Sequence, residues 1–325
     1  MHHGDISQEI AEGLRVLRER IDDADIPSSS LDETINIATW NIREFGKTPR
    51  EEAAIHLIAE VIGQFDLVAV AELRDNVRDL HRVMQILGPY WKVVFSDFNT
   101  DRAGNRERMA YVYDKRAMDF TGLAAEADPP RKKTKVIIDG EEVWEYRSLI
   151  TWWRSPYMAS FRAGDFDFIV LAAHIRWDSS GGERSRIRAL KELAKWLDKR
   201  RKDEDVIDKD ILVMGDFNIP AVDDELYEAI TSKGLRMPAS LLGAPGTNLA
   251  QDKRYDQILH YPSYTKSFTD EGGVLDFYQD DHQSLFPGLT LTKSQFTYQM
   301  SDHLPMWVQL DVDIDDEKLD QILNP

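Results

Sequence analysis

Cysteine is absent from the 325 residues, which excludes disulfides and thiolate metal sites while leaving a reducing compartment and a disulfide-free exported form both open. Apolar runs of transmembrane length are absent too, as is the apolar core of a signal peptide. The chain is therefore expected to be soluble, without a membrane partner, and cytoplasmic by first assignment. Basic residues are few: 40 Lys and Arg against 58 Asp and Glu give a net charge of -18. Such a chain repels polyanions as a whole, so a phosphodiester substrate would need a metal and local arginines to overcome the field. No segment repeats with a fixed period. Hydrophobic residues, at 42%, suffice for one large domain or two small ones.

The most informative stretch is Asp210 to Pro220, D-I-L-V-M-G-D-F-N-I-P. Its unbroken apolar run, Ile211 to Met214, predicts a strand buried on both faces, with Gly215 ending it. Asp216 and Asn218 follow at i, i+2, a spacing that in extended backbone aims both side chains one way. A carboxylate beside an amide at a strand mouth suits a phosphoester site, the first for a metal or a water and the second for a phosphoryl oxygen. An Asp-Phe-Asn turn without chemistry is the equal alternative.

Ile6, Ile10, Leu14, Leu17 and Ile21 recur at helical spacing and predict a helix over 5–23, laid on the domain, behind His2 and His3 as remnants of the chain start. Pro27 to Ser30 read as a linker. Strands are expected at 35–40, delivering Asn41 and Arg43; at 66–71, delivering Glu72 and Arg74; at 90–96; and at 107–113, with Glu107, Met109, Tyr111 and Tyr113 on one face. A basic hairpin is expected over 128–142, and a second hairpin ending in His174. Helices are expected at 50–63, with His56 on the surface, and at 75–88, 184–202 and 223–232. The last strands carry Asp256 and follow S-D-H-L-P, with His260 structural. Strands that alternate with helices yet also form hairpins argue for a mixed-sheet sandwich under helices.

In chain order T-W-N-I-R-E-F-G, V-A-V-A-E-L-R-D, R-E-R-M-A-Y-V-Y, A-A-H, G-D-F-N, Y-D-Q-I and S-D-H-L-P span residues 35–308. Each is weak alone, but their order is specific. Together they resemble the endonuclease/exonuclease/phosphatase superfamily, most closely its deoxyribonuclease I-like branch. A-E-L-R-D stands where that superfamily usually has Gln-Glu, and the loops around Lys132 and Gly243 differ.

The resemblance implies an α+β fold, a four-layer α/β/β/α sandwich of two packed mixed β-sheets flanked by helices. Residues 1–30 would be a helix and linker ahead of a catalytic domain at 31–325. It implies a divalent-metal-dependent phosphodiesterase, most closely a DNA endonuclease, with Mg²⁺ as cofactor (Mn²⁺ or Ca²⁺ as substitutes) and nucleic acid as substrate; the oligomeric state stays open, a monomer being favoured. Matched residue by residue, Glu72 and Asn41 would hold the metal. Asp216 and Asp302 would orient the attacking water or complete a second metal site, and Asn218 would donate to the phosphate. Asp256 would support His303, and Glu107 would support His174, fixing tautomers for proton transfer; which histidine is the base stays open. Arg43, Arg74 and Arg154, with Tyr111, would meet the substrate, or else the arginines are solvated surface charge. Two alternatives remain: a hydrolase of a small or lipid-linked phosphate ester, and a non-catalytic binding module, which the intact residue set argues against.

Overall fold

The computed structural model describes residues 1–98, 105–150, 152–177, 182–206, 208–263 and 267–314, with Leu319 and Leu323. Residues 99–104, between the expected strands at 90–96 and 107–113, and Thr151 lie outside the described residues. The elements in order are α1 (Gln8–Asp22), β1 (Thr34–Phe45), α2 (Glu52–Ile62), β2 (Leu67–Arg74), α3 (Arg78–Leu87), β3 (Trp91–Phe95), β4 (Glu107–Asp114) and β5 (Asp119–Glu126). Then come β6 (Arg131–Ile138), β7 (Glu141–Ser148), β8 (Tyr157–Ala163), β9 (Phe166–His174), α4 (Glu183–Lys202) and β10 (Ile211–Asp216). The chain continues through α5 (Glu225–Thr231), β11 (Asp256–Leu259), β12 (Phe268–Val274), α6 (Lys293–Gln299) and β13 (Met306–Asp311).

Alternating burial sorts these strands into two sheets. The first has the order β12-β13-β1-β2-β4-β3 and the second β11-β10-β9-β8-β5. Each contains one parallel pair, β1 with β2 and β9 with β10, and is otherwise antiparallel. Ile35, Ile37, Ala69, Met109, Tyr111 and Tyr113 turn inward to the second sheet, while Ala38, Trp40, Val68, Val70 and Val112 turn outward to α1, α2 and α3. Tyr111 and Tyr113 pack edge-on to Phe161 across the gap, with ring centroids 5.7 and 5.3 Å apart. The second sheet is covered by α4 and α5 through Leu190, Leu193, Leu197, Leu226 and Ile230. This is the expected four-layer α+β sandwich.

As its pattern predicts, β10 buries Ile211, Leu212, Val213 and Met214 completely, at roughly 1.5–3 kcal/mol for each large side chain removed from water. Gly215 does not end the strand. It stays in register opposite Ala173 at a φ of 129°, and a Cβ there would lie 2.1 Å from the Ala173 carbonyl oxygen.

Several elements depart from the sequence reading. His56 is buried, because α2 is covered by α1 and by the first residues of the chain. His3 Nδ1 lies 2.8 Å from His56 Nδ1, and His3 Nε2 lies 2.8 Å from Glu60, so the chain start is packed, not a loose remnant. Helix α1 is laid on the domain by Leu14, Leu17 and Ile21, and buried Arg20 donates to the carbonyls of Phe277, Tyr278 and Asp281 at 2.8–2.9 Å. Strands β5 and β12, both at sheet edges, escape pattern reading because neither contains a fully buried residue, and the first is bent at Gly122 with a φ of 110°. The hairpin runs farther than expected, as a two-stranded ribbon of β6 and β7 turning at Asp139-Gly140.

Candidate active site

At one end of the sandwich both sheets present polar side chains toward Asp216. Parallel pairing sets Asp216 beside His174, and antiparallel pairing sets it beside Asp256. From the first sheet, Asn41 reaches across and its amide donates to Asp216 Oδ2 at 2.9 Å and to Glu72 Oε1 at 3.0 Å. Glu72 holds a left-handed backbone with a φ of 61°, and its other oxygen accepts from the Glu44 N–H at 2.8 Å. His174 Nδ1 lies 2.9 Å from Glu107 Oε2 and His303 Nδ1 lies 2.7 Å from Asp256 Oδ2, so both Nε2 atoms point to Asp216 Oδ2, at 3.5 and 3.8 Å. The two histidine–carboxylate pairings read from the sequence are thus present, and each spans the two sheets.

Electrostatics follow from that geometry. Burial opposes the charge on His303, yet Asp256, Asp216 and Asp302 outweigh it and push the ring up to about 10. His174 is also raised: burial and Arg154 work against its charge, and Glu107 and Asp216 favour it. Burial likewise opposes ionisation of Glu107, but His174 and Arg154 hold its carboxyl down at about 2. Asp302 is raised, by the dry rim on one side of its carboxyl and, against the pull of His303 and Arg43, by the charge of Glu72.

Other expected residues take different places. Tyr111 is fully buried between the sheets, its hydroxyl 2.6 Å from the Tyr157 carbonyl and accepting from the Ala172 N–H at 2.8 Å. It is a core strut and has no surface for a substrate. Asn218 is not extended: at a φ of 51° its N–H turns back to Asp216 Oδ1 at 2.8 Å, and its side-chain amide donates to the Ile175 carbonyl at 2.8 Å. Arg74 and Arg154 are taken out of solvent by carboxylates, and Arg43 is only partly so. Arg154 Nε is 2.6 Å from Glu107 Oε2, Arg74 is buried between Glu44 and Glu107, and Arg43 lies 3.5 Å from Asp302 and over the Tyr298 ring.

Sequence reasoning missed Ser301, Thr247 and Arg186. Ser301 Oγ donates to the Asn41 carbonyl at 2.6 Å and accepts from the His303 N–H at 3.0 Å, tying two motifs together. Thr247 Oγ1 accepts from the Asp256 N–H, and Arg186 donates to the Asn218 carbonyl. Ser301 was visible inside S-D-H-L-P; Thr247 sits in a loop without pattern, and Arg186 shares the buried face of α4 with Leu190, Leu193 and Leu197, where its charge, not its spacing, argues for solvent.

The sequence model described as the Endonuclease/Exonuclease/phosphatase family matches residues 38–303, the stretch holding every site residue above. The chain belongs to that family. Comparison with curated protein sequences finds no match. Among solved structures, the human Nocturnin catalytic domain is 15% identical with a TM-score of 0.53, covering 87% of this chain and 95% of its own. A mannosyl-6-phosphatase from Bacteroides thetaiotaomicron is 16% identical with a TM-score of 0.51, covering 84% and 98%. Truncated Caenorhabditis elegans TDP2 is 12% identical with a TM-score of 0.53, covering 86% and 97%. These likenesses establish the fold; family membership makes the chain a hydrolase of the phosphate-ester type.

Among the described residues, Asp216, Asp256 and His303 offer possible metal-ligand atoms within 4.8 Å of one another. Asn41 Oδ1 is buried without a hydrogen-bond partner, next to the Glu72 carboxylate. An orphaned carbonyl oxygen beside a carboxylate fits a hard divalent cation. No helix among the described residues is long and apolar enough to cross a membrane.

Proposed function

We propose that the protein is a divalent-metal-dependent phosphodiesterase that cleaves DNA internally, its cation held by Glu72 and Asn41 with Asp302 at the rim. The observation that carries this reading is the pair of histidine–carboxylate couples closing on Asp216 from opposite sheets, beside the orphaned Asn41 oxygen. Mg²⁺ bound there would polarise the phosphate and neutralise charge that develops on it. Asp216 Oδ2, reached by both Nε2 atoms and by the Asn41 amide, orients the attacking water and takes its proton. Glu107 and Asp256 hold the Nδ1 protons, so each imidazolium presents Nε2–H to the phosphate. His303 steadies the non-bridging oxygens, and His174 supplies the proton to the leaving oxygen. Asn218 acts as a brace between strand ends, since one amide hydrogen is engaged by Ile175. Arg43 is the arginine with open surface, 28% exposed against 9% and 11% for Arg74 and Arg154, and it contacts the DNA backbone.

Purified protein with Mg²⁺ should nick and linearise plasmid DNA and hydrolyse bis(p-nitrophenyl) phosphate slowly, and EDTA should abolish both. Efficient turnover of a phosphomonoester with an untouched plasmid would replace the nuclease reading by a phosphatase.

A further inference from the structure

Beside the histidines lies a row of rings that the reading above does not use. Trp177 follows His174 by three residues, on the loop leaving β9, and is 51% exposed. Its edge meets Tyr255, with centroids 5.9 Å apart and ring planes 68° apart, and Tyr255 in turn lies 5.8 Å from the His303 ring. The Arg186 guanidinium sits over the indole, 5.3 Å from its centroid. The two partners of Trp177 are anchored to the catalytic loop: the Tyr255 carbonyl accepts from the Phe217 N–H at 2.9 Å, between Asp216 and Asn218, and Arg186 donates to the Asn218 carbonyl.

A half-exposed tryptophan with an edge and a face pinned is a preorganised platform rather than a surface residue free to swing. Tyr255 bridges it to the His303 ring, so the platform adjoins the site. A planar ring stacked on a fixed aromatic face gains affinity without sequence selectivity, because every base has a π-face.

We infer that Trp177, backed by Arg186 and steadied by Tyr255, is a stacking subsite for the nucleobase next to the scissile phosphate. This rests on the phosphodiesterase reading and deepens it, since it makes the substrate a nucleotide ester. Two measurements separate the failures. Thymidine 3′- and 5′-(p-nitrophenyl) phosphates are compared with ethyl p-nitrophenyl phosphate, which shares the leaving group and lacks the base. At least one nucleoside ester should be preferred about ten-fold or more in kcat/KM, mostly through KM. That preference should collapse in Trp177→Ala and return in Trp177→Phe. Independently of turnover, a short single-stranded oligonucleotide containing 2-aminopurine, titrated in EDTA, should be quenched by the wild type and much less by Trp177→Ala. Retained quenching with no hydrolysis of any ester sinks the catalytic reading alone. Equal kcat/KM for all esters, or quenching unchanged by Trp177→Ala, overturns the subsite. A Trp177-dependent preference for mannose 6-phosphate over the nucleoside esters overturns it in favour of a sugar platform. Matching melting temperatures for wild type and variants verify that the exposed ring carries no fold.

Discussion

Glu72 combines a left-handed backbone with a carboxylate whose two oxygens are fixed by Asn41 and by the Glu44 N–H. Non-glycine residues adopt that backbone at a cost, and such strain gathers where a side chain must be aimed. Glu72→Gln keeps the shape but removes the anionic ligand, so plasmid cleavage should fall by roughly 10²-fold or more with melting unchanged; undiminished cleavage would move the cation elsewhere. Glu107 serves His174, Arg154 and Arg74 at once. Removing one partner of a buried ion pair costs about 3–5 kcal/mol, so Glu107→Leu should both inactivate the protein and lower its stability on that scale in urea titration. Far from the site, burial and the nearby Asp210 and Asp167 push the Asp208 carboxyl up to about 7. An acid raised in the folded state keeps its proton where the unfolded chain has lost it. Its stabilising share is therefore complete below about 3.9 and is lost as the pH rises through about 7. Asp208→Asn should melt above the wild type at pH 8 and level with it near pH 4; equal melting at pH 8 would show the carboxylate solvated. At this scale the chemical residues were legible because their types and order repeat a family motif. Tyr111 was not, since a tyrosine on an inward strand face reads the same whether its hydroxyl ends in solvent or between carbonyls.

Among the elements, strands with an apolar run or alternation were legible, the edge strands β3 and β11 included, and the edge strands β5 and β12 were not. The apolar run of β10 and the alternation of β4 name their own burial, whereas β12, F-T-D-E-G-G-V, carries too few apolar residues to announce a strand. The α6 signal was present as a capping box of Thr292 and Gln295. The ribbon of β6 and β7 belongs to neither large sheet and exposes Ile137, Trp144 and Tyr146 at 75%, 58% and 70%. Because an isolated two-stranded ribbon adds little stability of its own, replacing residues 132–147 with a short Gly-Ser turn should leave the melting temperature within a few degrees. A loss of cooperative melting would show that the ribbon braces the sandwich.

For the whole molecule, net charge and local pairing act together. With a net charge of -18, and with Arg74 and Arg154 engaged by Glu107, few cations are left to grip a long polyanion. Affinity for duplex DNA should therefore be modest, with a log-log salt slope between about -1 and -3, at about -0.9 per phosphate neutralised. A slope steeper than about -6 would reveal a basic surface of a different kind. A mixed-sheet sandwich was legible at this scale because strands alternate with helices yet also form hairpins, and the family resemblance supplied its four layers. How the sheets are threaded was not: the first sheet begins with β1 and is closed by β13, after the whole second sheet has been laid down. Glu107 and His174 come from different sheets, as do Asn41 and Asp216, and Asp256 of the second sheet meets His303 on the loop that enters β13 of the first. Neither sheet holds a working half of the chemistry, so turnover is a clock for their docking. On dilution from urea, far-ultraviolet circular dichroism should recover first and hydrolysis only with the slow closure of these distant pairings, and a nascent chain should stay inert until its last strand is free to join the first.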